Sequence, residues 1–408
     1  MEIISNPFRP GAGQKPPYLA GRDTEQRTFS KLLNQRPVIK NLIITGLRGV
    51  GKTSLLDSLQ PMALQAGWLW AGTDLSEAAS LNEKNLIMRI TTDLSSVTSH
   101  FSVGSWQEPK IGFTESNSKI DIKANFQFLW QIYNNTHGLE ADKLKAVLEN
   151  VWHIVRGHVK GIILAYDEAQ LLKDHNKDKE FPLSLLLEVT QYLQRKEIPF
   201  MLVLAGLPTL FPNLVDTRTY AERMFRVLHL DKLSNDECKD AILKPTEVEE
   251  CKVRFSESAV KNITKYSGGY PYFIQFLCKE TFDSYILQLK LGNTEPSIYL
   301  EDIIRKLDTD FYSGRWAKLT DSQKNLMIII SELANADNEF TVQEISEKSK
   351  IMGPPQRPLS TSNINQLLNK LAESGLVYKL RHGKYSFAVP MLSAYIKRQQ
   401  ELFNDEEF

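Results

Sequence analysis

The chain has 408 residues, 42% of them apolar, and its 49 lysines and arginines balance 49 aspartates and glutamates. That length predicts two to three domains of roughly 150 residues, each able to bury its own core, and the neutral balance excludes both a polycation for nucleic acid and an acidic disordered chain. No apolar run approaches the roughly 18 to 20 residues that cross a bilayer, Met1-Glu2-Ile3-Ile4-Ser5 is no signal peptide, and Cys238, Cys251 and Cys278 form no CxxC pair, so we expect a cytoplasmic protein with no membrane partner and with reduced, buried thiols.

In chain order, a Pro/Gly-rich arm (Asn6 to Gly13) leads through Leu19-Ala20-Gly21-Arg22-Asp23 into a helical pattern through Phe29, Leu32 and Leu33. The apolar run Asn41 to Thr45 predicts a buried strand, followed by a glycine-rich turn and a helix from Ser54. Further short apolar runs at Trp68 to Ala71, Gly161 to Tyr166, Phe200 to Ala205 and Phe225 to Leu230 alternate with helical stretches. That alternation predicts an α/β fold with a parallel sheet covered by helices. Residues 75–150 read as an insertion, polar and irregular around Ser95 to Ser118, with helices near Phe126 to Tyr133 and Ala141 to Arg156. From Ser234, a candidate helix cap, the pattern is helical to about residue 315. The remainder reads helix (Asp321 to Ala334), helix (Val342 to Ser349), Pro/Gly-rich loop (Gly353 to Pro358), helix (Thr361 to Glu373) and two strands (Leu376 to Leu380, Tyr385 to Val389). Three helices and a hairpin is the winged-helix order.

Gly46-Leu47-Arg48-Gly49-Val50-Gly51-Lys52-Thr53 satisfies the GxxxxGKT pattern and stands between a predicted strand and a predicted helix, as a phosphate-binding loop requires. The glycines let successive backbone N–H groups face phosphate oxygens, with the helix N-terminus, including Ser54, behind them. Lys52 then neutralises the β and γ phosphates, and the Thr53 hydroxyl ligates Mg²⁺. The strand Gly161 to Tyr166 ends in Asp167-Glu168, where strand ends of an open α/β sheet meet ligands. Asp167 is the candidate for the Mg²⁺ shell, and Glu168 for polarising the attacking water. ATP and Mg²⁺ are the expected cofactors.

With both motifs placed, the chain resembles the AAA+/STAND superfamily of P-loop ATPases, in particular prokaryotic ATPases related to origin-recognition and initiator-loader proteins. The resemblance extends to Pro10-Gly11-Ala12-Gly13 with Gly21-Arg22 before the first strand, where such proteins hold the adenine, to Tyr220 to Phe225, and to Gly268 to Gln275. It implies a sheet of order 5-1-4-3-2, a helical lid and a C-terminal winged helix. The implied domains are a P-loop ATPase domain over 1–233 with the 75–150 insertion, a lid over 234–315 and a winged helix over 316–408. It further implies that Arg223, just before the fifth strand, is the arginine finger, with Arg226 as runner-up, and that Tyr270 and Pro271 of Gly269-Tyr270-Pro271 contact nucleotide. Two departures from the pattern, the end of the fourth strand (Leu204 to Thr209), where Thr209 is the nearest substitute for the usual polar residue, and the missing lid arginine beside Gly268-Gly269, point to slow ATP hydrolysis.

The helix from Thr361 puts Ile364, Leu367, Leu368 and Leu371 on one face, and Asn363, Gln366 and Asn369 on the other with Lys370. The wing turn holds Arg381 and Lys384, and between Leu359 and Gln400 six basic residues face one acid. Asn363, Gln366, Lys370, Arg381 and Lys384 are therefore candidate contacts to double-stranded DNA. Two functions stay open: a nucleotide-driven switch acting on DNA or a DNA-associated assembly, and an ATP-gated scaffold that forms homo-oligomers or recruits a separate effector, as in transposition or antiphage defence, with its winged helix packing on protein.

Overall fold

A computed structural model describes residues 5–11, 13–107, 119–247, 251, 253–293, 299–353, 358–381 and 383–406. Part of the expected insertion (108–118), part of the Pro/Gly-rich loop (354–357) and His382 of the expected wing lie outside the described residues. The chain divides into two compact units, one of Arg22–Gly46 and Leu55–His229, the other of Met1–Gly21, Leu47–Ser54 and Leu230–Phe408.

The first unit is built on five parallel strands: β1 (Asn41–Thr45), β2 (Trp68–Ala71), β5 (Gly161–Tyr166), β6 (Phe200–Gly206) and β7 (Phe225–His229), in the spatial order β2-β5-β6-β1-β7. Strands β1, β5 and β6 are buried along their whole length, which is why their sequences are continuous apolar runs rather than alternating ones. Register brings Thr45 level with Gly206, so β1 and β6 end together, and Tyr166 level with Leu204, so β5 ends two residues before them. Helix α1 (Asp23–Leu33) precedes β1, and α2 (Lys52–Gln65), whose first turn belongs to the other unit, follows it. Between β2 and β5 come α3 (Glu77–Ser80), α4 (Glu83–Thr98), the hairpin β3 (Ser102–Gln107) and β4 (Lys119–Lys123), α5 (Phe126–Asn135) and α6 (Glu140–Val155). Neither α4 nor the hairpin is among the sequence expectations. The α4 stripe Leu86, Ile87, Ile90 and Leu94 is nonetheless fully buried in the same core as Leu144, Val147 and Val151 of α6. Helix α7 (Pro182–Arg195) joins β5 to β6, and α8 (Leu210–Thr217) and α9 (Ala221–Met224) lead to β7.

The second unit is mainly helical. Helix α10 (Asn235–Leu243) begins at a capping box in which Ser234 and Glu237 satisfy each other's backbone N–H groups, and α11 (Glu257–Ser267) and α12 (Pro271–Lys290) follow. The N-terminal arm is pinned here: Phe8 is 2% exposed and meets Phe255 edge to face at 5.8 Å. Asn6 donates to the Lys279 carbonyl and to Asp283 on α12. After α13 (Leu300–Leu307), a π-helical stretch (Asp308–Ser313) and α14 (Gly314–Trp316) come α15 (Asp321–Ser331), β8 (Phe340–Thr341), α16 (Val342–Ile351), α17 (Thr361–Glu373), β9 (Val377–Arg381), β10 (Lys384–Phe387) and α18 (Leu392–Glu406). The last three strands form an antiparallel sheet in the order β8-β10-β9. Ser360 caps α17, and Ile364, Leu367, Leu368 and Leu371 are buried beneath it, each contributing roughly 1.5–3 kcal/mol. All three cysteines are buried, and burial pushes the Cys238 thiol up to about 11 and the Cys278 thiol well above its ordinary value.

Candidate nucleotide-binding and catalytic site

The chain leaves β1 at Thr45 and enters the loop Gly46 to Gly51, with α2 starting at Lys52. Gly49 (φ 78°) and Gly51 (φ 90°) occupy the left-handed region, where a side chain would be strained by roughly 1–2 kcal/mol. These two glycines turn the loop back over the start of α2. The first turn of that helix carries no acidic residue, so no carboxylate there offsets the positive end of its dipole. Lys52 is 9% exposed, and its ammonium donates to the Leu47 carbonyl at 2.9 Å. Val50 is buried, whereas Arg48 and Thr53 are exposed. Helix α12 meets the same loop: the Tyr272 N–H donates to the Gly49 carbonyl at 3.2 Å, and the Pro271 ring stands 4.0 Å from where a Gly51 side chain would begin.

Tyr270, just before α12, is 8% exposed and lines a cavity of about 550 Å³ with Leu47 of the loop, Asp231, Asp337, Tyr378 and Met391. Burial, reinforced by Asp337 and Asp231, pushes its phenol up to about 12. Gly21 (φ 65°) lies against Glu237, and Arg22, 6% exposed, opens α1 with its guanidinium 3.6 Å from Glu25.

In the sheet unit, Asp167 and Glu168 follow β5 directly. Asp167 is 3% exposed and accepts the Glu168 N–H at 2.7 Å, while Glu168 is exposed. Glu168 takes the left-handed conformation (φ 51°, ψ 29°), an uncommon one for a non-glycine residue and one that concentrates at functional sites. A polar neighbour that motif reading overlooks is Gln170, in the 3-10 turn Ala169–Leu171: its Nε2 donates to Glu168, and its Oε1 accepts the Leu207 N–H at 3.0 Å. Its sequence signal is a polar residue two positions beyond the acidic pair, close enough for a tight turn to bring it back. Asp74 is a second omission. The chain after β2 bridges Asp74 to Asp167, and burial together with Asp167, Glu168 and Asp57 raises the Asp74 carboxyl above its ordinary value.

Arg223 is exposed on α9, and its carbonyl accepts from Lys40; Arg226 is exposed on β7, an edge strand of the sheet. In the C-terminal part, Asn363, Gln366 and Lys370 are exposed on α17 and Lys384 is partly exposed at the start of β10. The side chain of Arg381 is outside the described residues. Of the six basic residues in that stretch, Arg398 is committed elsewhere: its guanidinium forks onto Asp308 at 2.8 and 2.5 Å.

Residues 309–396 match the family described as Domain of unknown function (DUF8462). The sequence matches none of the curated proteins. Among solved structures, the chain is similar to the Aeropyrum pernix ORC2 protein in its ADP form, with a TM-score of 0.54 and 14% identity over 96% of this chain and 97% of that one. It is also similar to the same protein in ADPNP-ADP complexes, with a TM-score of 0.46 and 16% identity over 95% and 97% of the two chains. DnaA from Aquifex aeolicus bound to AMPPCP gives 0.37 and 10% over 98% of each. The likeness to the ADP-form structure is one of fold alone, an α/β sheet unit followed by helical elements. Among the described residues no helix is long and apolar enough to cross a membrane.

Proposed function

We propose that this protein is an ATP-binding, slowly ATP-hydrolysing switch that acts on DNA. The observation that carries the reading is the glycine loop: two left-handed glycines between a fully buried strand and a helix whose first turn is free of acids and begins Lys52-Thr53. That combination of N–H donors, helix dipole and lysine suits a polyphosphate. In this reading residues 46–54 cradle the phosphates, Gly21, Arg22, Tyr270 and Pro271 belong to the nucleotide pocket, Thr53 and Asp167 ligate Mg²⁺, and Glu168 orients the attacking water. Arg223 serves as the finger for a neighbouring copy. Among the described residues no group of three or more His, Cys, Asp or Glu is disposed to hold a metal, so the ion would arrive with phosphate oxygens as part of its shell. When bound, Mg²⁺ would neutralise charge on the transferring phosphoryl group.

We assign 1–233, 234–315 and 316–408 to ATPase, lid and winged-helix domains. The polar face of α17, with Lys370 and Lys384, is the proposed DNA surface. Purified protein should turn over ATP in the presence of Mg²⁺, Glu168→Gln should abolish turnover while ATP still binds, and duplex affinity should fall steeply with salt. Neutralising Lys370 and Lys384 should reduce the slope of log affinity against log salt by about two. Absence of ATP binding would overturn the nucleotide half, and absence of duplex binding at low salt the DNA half.

The scaffold reading has its own support. Within the helical unit the Tyr312 hydroxyl donates to the Pro390 carbonyl at 2.9 Å, Tyr312 stacks on Tyr395 at 4.9 Å, and Arg398 holds Asp308. A C-terminal segment packed on protein in this way suits an ATP-gated oligomer or effector platform. An ATP-dependent increase in size that needs Arg223 and no DNA would favour it.

A further inference from the structure

We propose that Gln170 is a positioning residue that sets the orientation of Glu168 and ties it to the end of β6. The inference rests on the reading of Glu168 as the group that orients the attacking water. Gln170 is 9% exposed, and both ends of its amide are used: Nε2 on a Glu168 carboxylate oxygen, Oε1 on the Leu207 N–H at 3.0 Å. A carboxylate only accepts and a backbone N–H only donates, so these two partners leave the amide one way to face. Glu168 would otherwise be an exposed side chain on a strained backbone, free among its rotamers.

The space for this arrangement is built into β6. A Cβ at Gly206 would meet the Gln170 Oε1 at 2.6 Å and Leu210 Cδ2 at 3.1 Å, so any larger residue at 206 displaces the amide. The end of β6, from Leu204 to Pro208, offers no polar side chain of its own. The Gln170 amide fills that gap from the neighbouring strand, and any movement of the loop between β6 and α8 is passed to Glu168 through Leu207.

The test is steady-state ATP hydrolysis by the full chain with Gln170→Met, Gln170→Glu and Gly206→Ala, each checked by thermal melting and by ATP affinity. Gln170→Met preserves bulk without the two bonds; kcat should fall about ten- to a hundredfold with ATP affinity close to wild type. Gly206→Ala should reproduce that fall with Gln170 still present. Gln170→Glu keeps the shape of the side chain and the acceptor for the Leu207 N–H but cannot donate to Glu168, so its kcat should fall as far as that of Gln170→Met with ATP affinity unchanged, a split that loss of packing alone does not produce. Wild-type kcat in both Gln170→Met and Gly206→Ala, or in Gln170→Glu, overturns the positioning role while leaving the ATPase reading intact. A wild-type protein that binds ATP without turnover overturns the water-orienting role of Glu168 and this inference with it.

Discussion

Replacing Lys52 by methionine removes one charge from the glycine loop while keeping most of the side chain's length. In this structure the ammonium already donates to the Leu47 carbonyl at 2.9 Å, so phosphate binding exchanges one partner for another, and only the difference appears in the affinity. A hydrogen bond from a charged donor contributes about 1.5 kcal/mol at the low end, and unit charges roughly 4 Å apart attract by about 4 kcal/mol near a protein surface. The difference is about 2–3 kcal/mol, or roughly 30- to 140-fold in the dissociation constant. ATP should lose more than ADP, because the lysine serves the β and γ phosphates together. Without nucleotide the variant should melt within a few degrees of wild type, since the lost Leu47 bond costs only about 1.5 kcal/mol. Calorimetric titration with Mg²⁺ at fixed ionic strength measures both affinities. A Lys52→Met protein of normal stability that binds ATP within about threefold of wild type refutes the assignment of the loop, since no redistribution of partners hides a loss of 2 kcal/mol.

Two further outcomes test the surroundings. Arg398→Ala leaves Asp308, 8% exposed, without its fork; unfolding by urea should show a loss of about 2–4 kcal/mol, and adding Asp308→Asn should restore more than half of it, whereas purely additive effects would show that the pair is uncoupled. The Asp74 carboxyl is raised by burial and by Asp167, Glu168 and Asp57, so the folded state holds this proton more tightly than the unfolded one, and the group costs stability as pH rises from the ordinary aspartate range through the raised value. Asp74→Asn should therefore be the more stable protein at neutral pH, by less than about 1 kcal/mol because the side chain is exposed, and the two should converge on acidification. Equal stability at every pH would show that the acids do not interact.

Much of the architecture is legible residue by residue. The runs Asn41 to Thr45, Gly161 to Tyr166 and Phe200 to Ala205 are strands because only a sheet buried on both faces accepts unbroken apolar side chains. The α17 pattern, its cap at Ser360 and the glycine loop are local too, since each depends on backbone conformations within a few residues. Helix α4 is hidden from the sequence because it carries its stripe among threonines and serines, whose weak helical preference is overruled by burial of Leu86, Ile87, Ile90 and Leu94. Arg398 counts as a surface cation in sequence, yet its partner is Asp308, 90 positions away.

The sequence alone determined where a phosphate could be gripped and which acids follow the third sheet strand, because spacing along the chain sets local geometry. Only the tertiary structure decided what holds Glu168 in place. The Gln170 amide reaches Leu207, 37 residues away, because β5 and β6 lie side by side and Gly206 leaves the gap, and adjacency across a sheet is a product of packing that no spacing encodes.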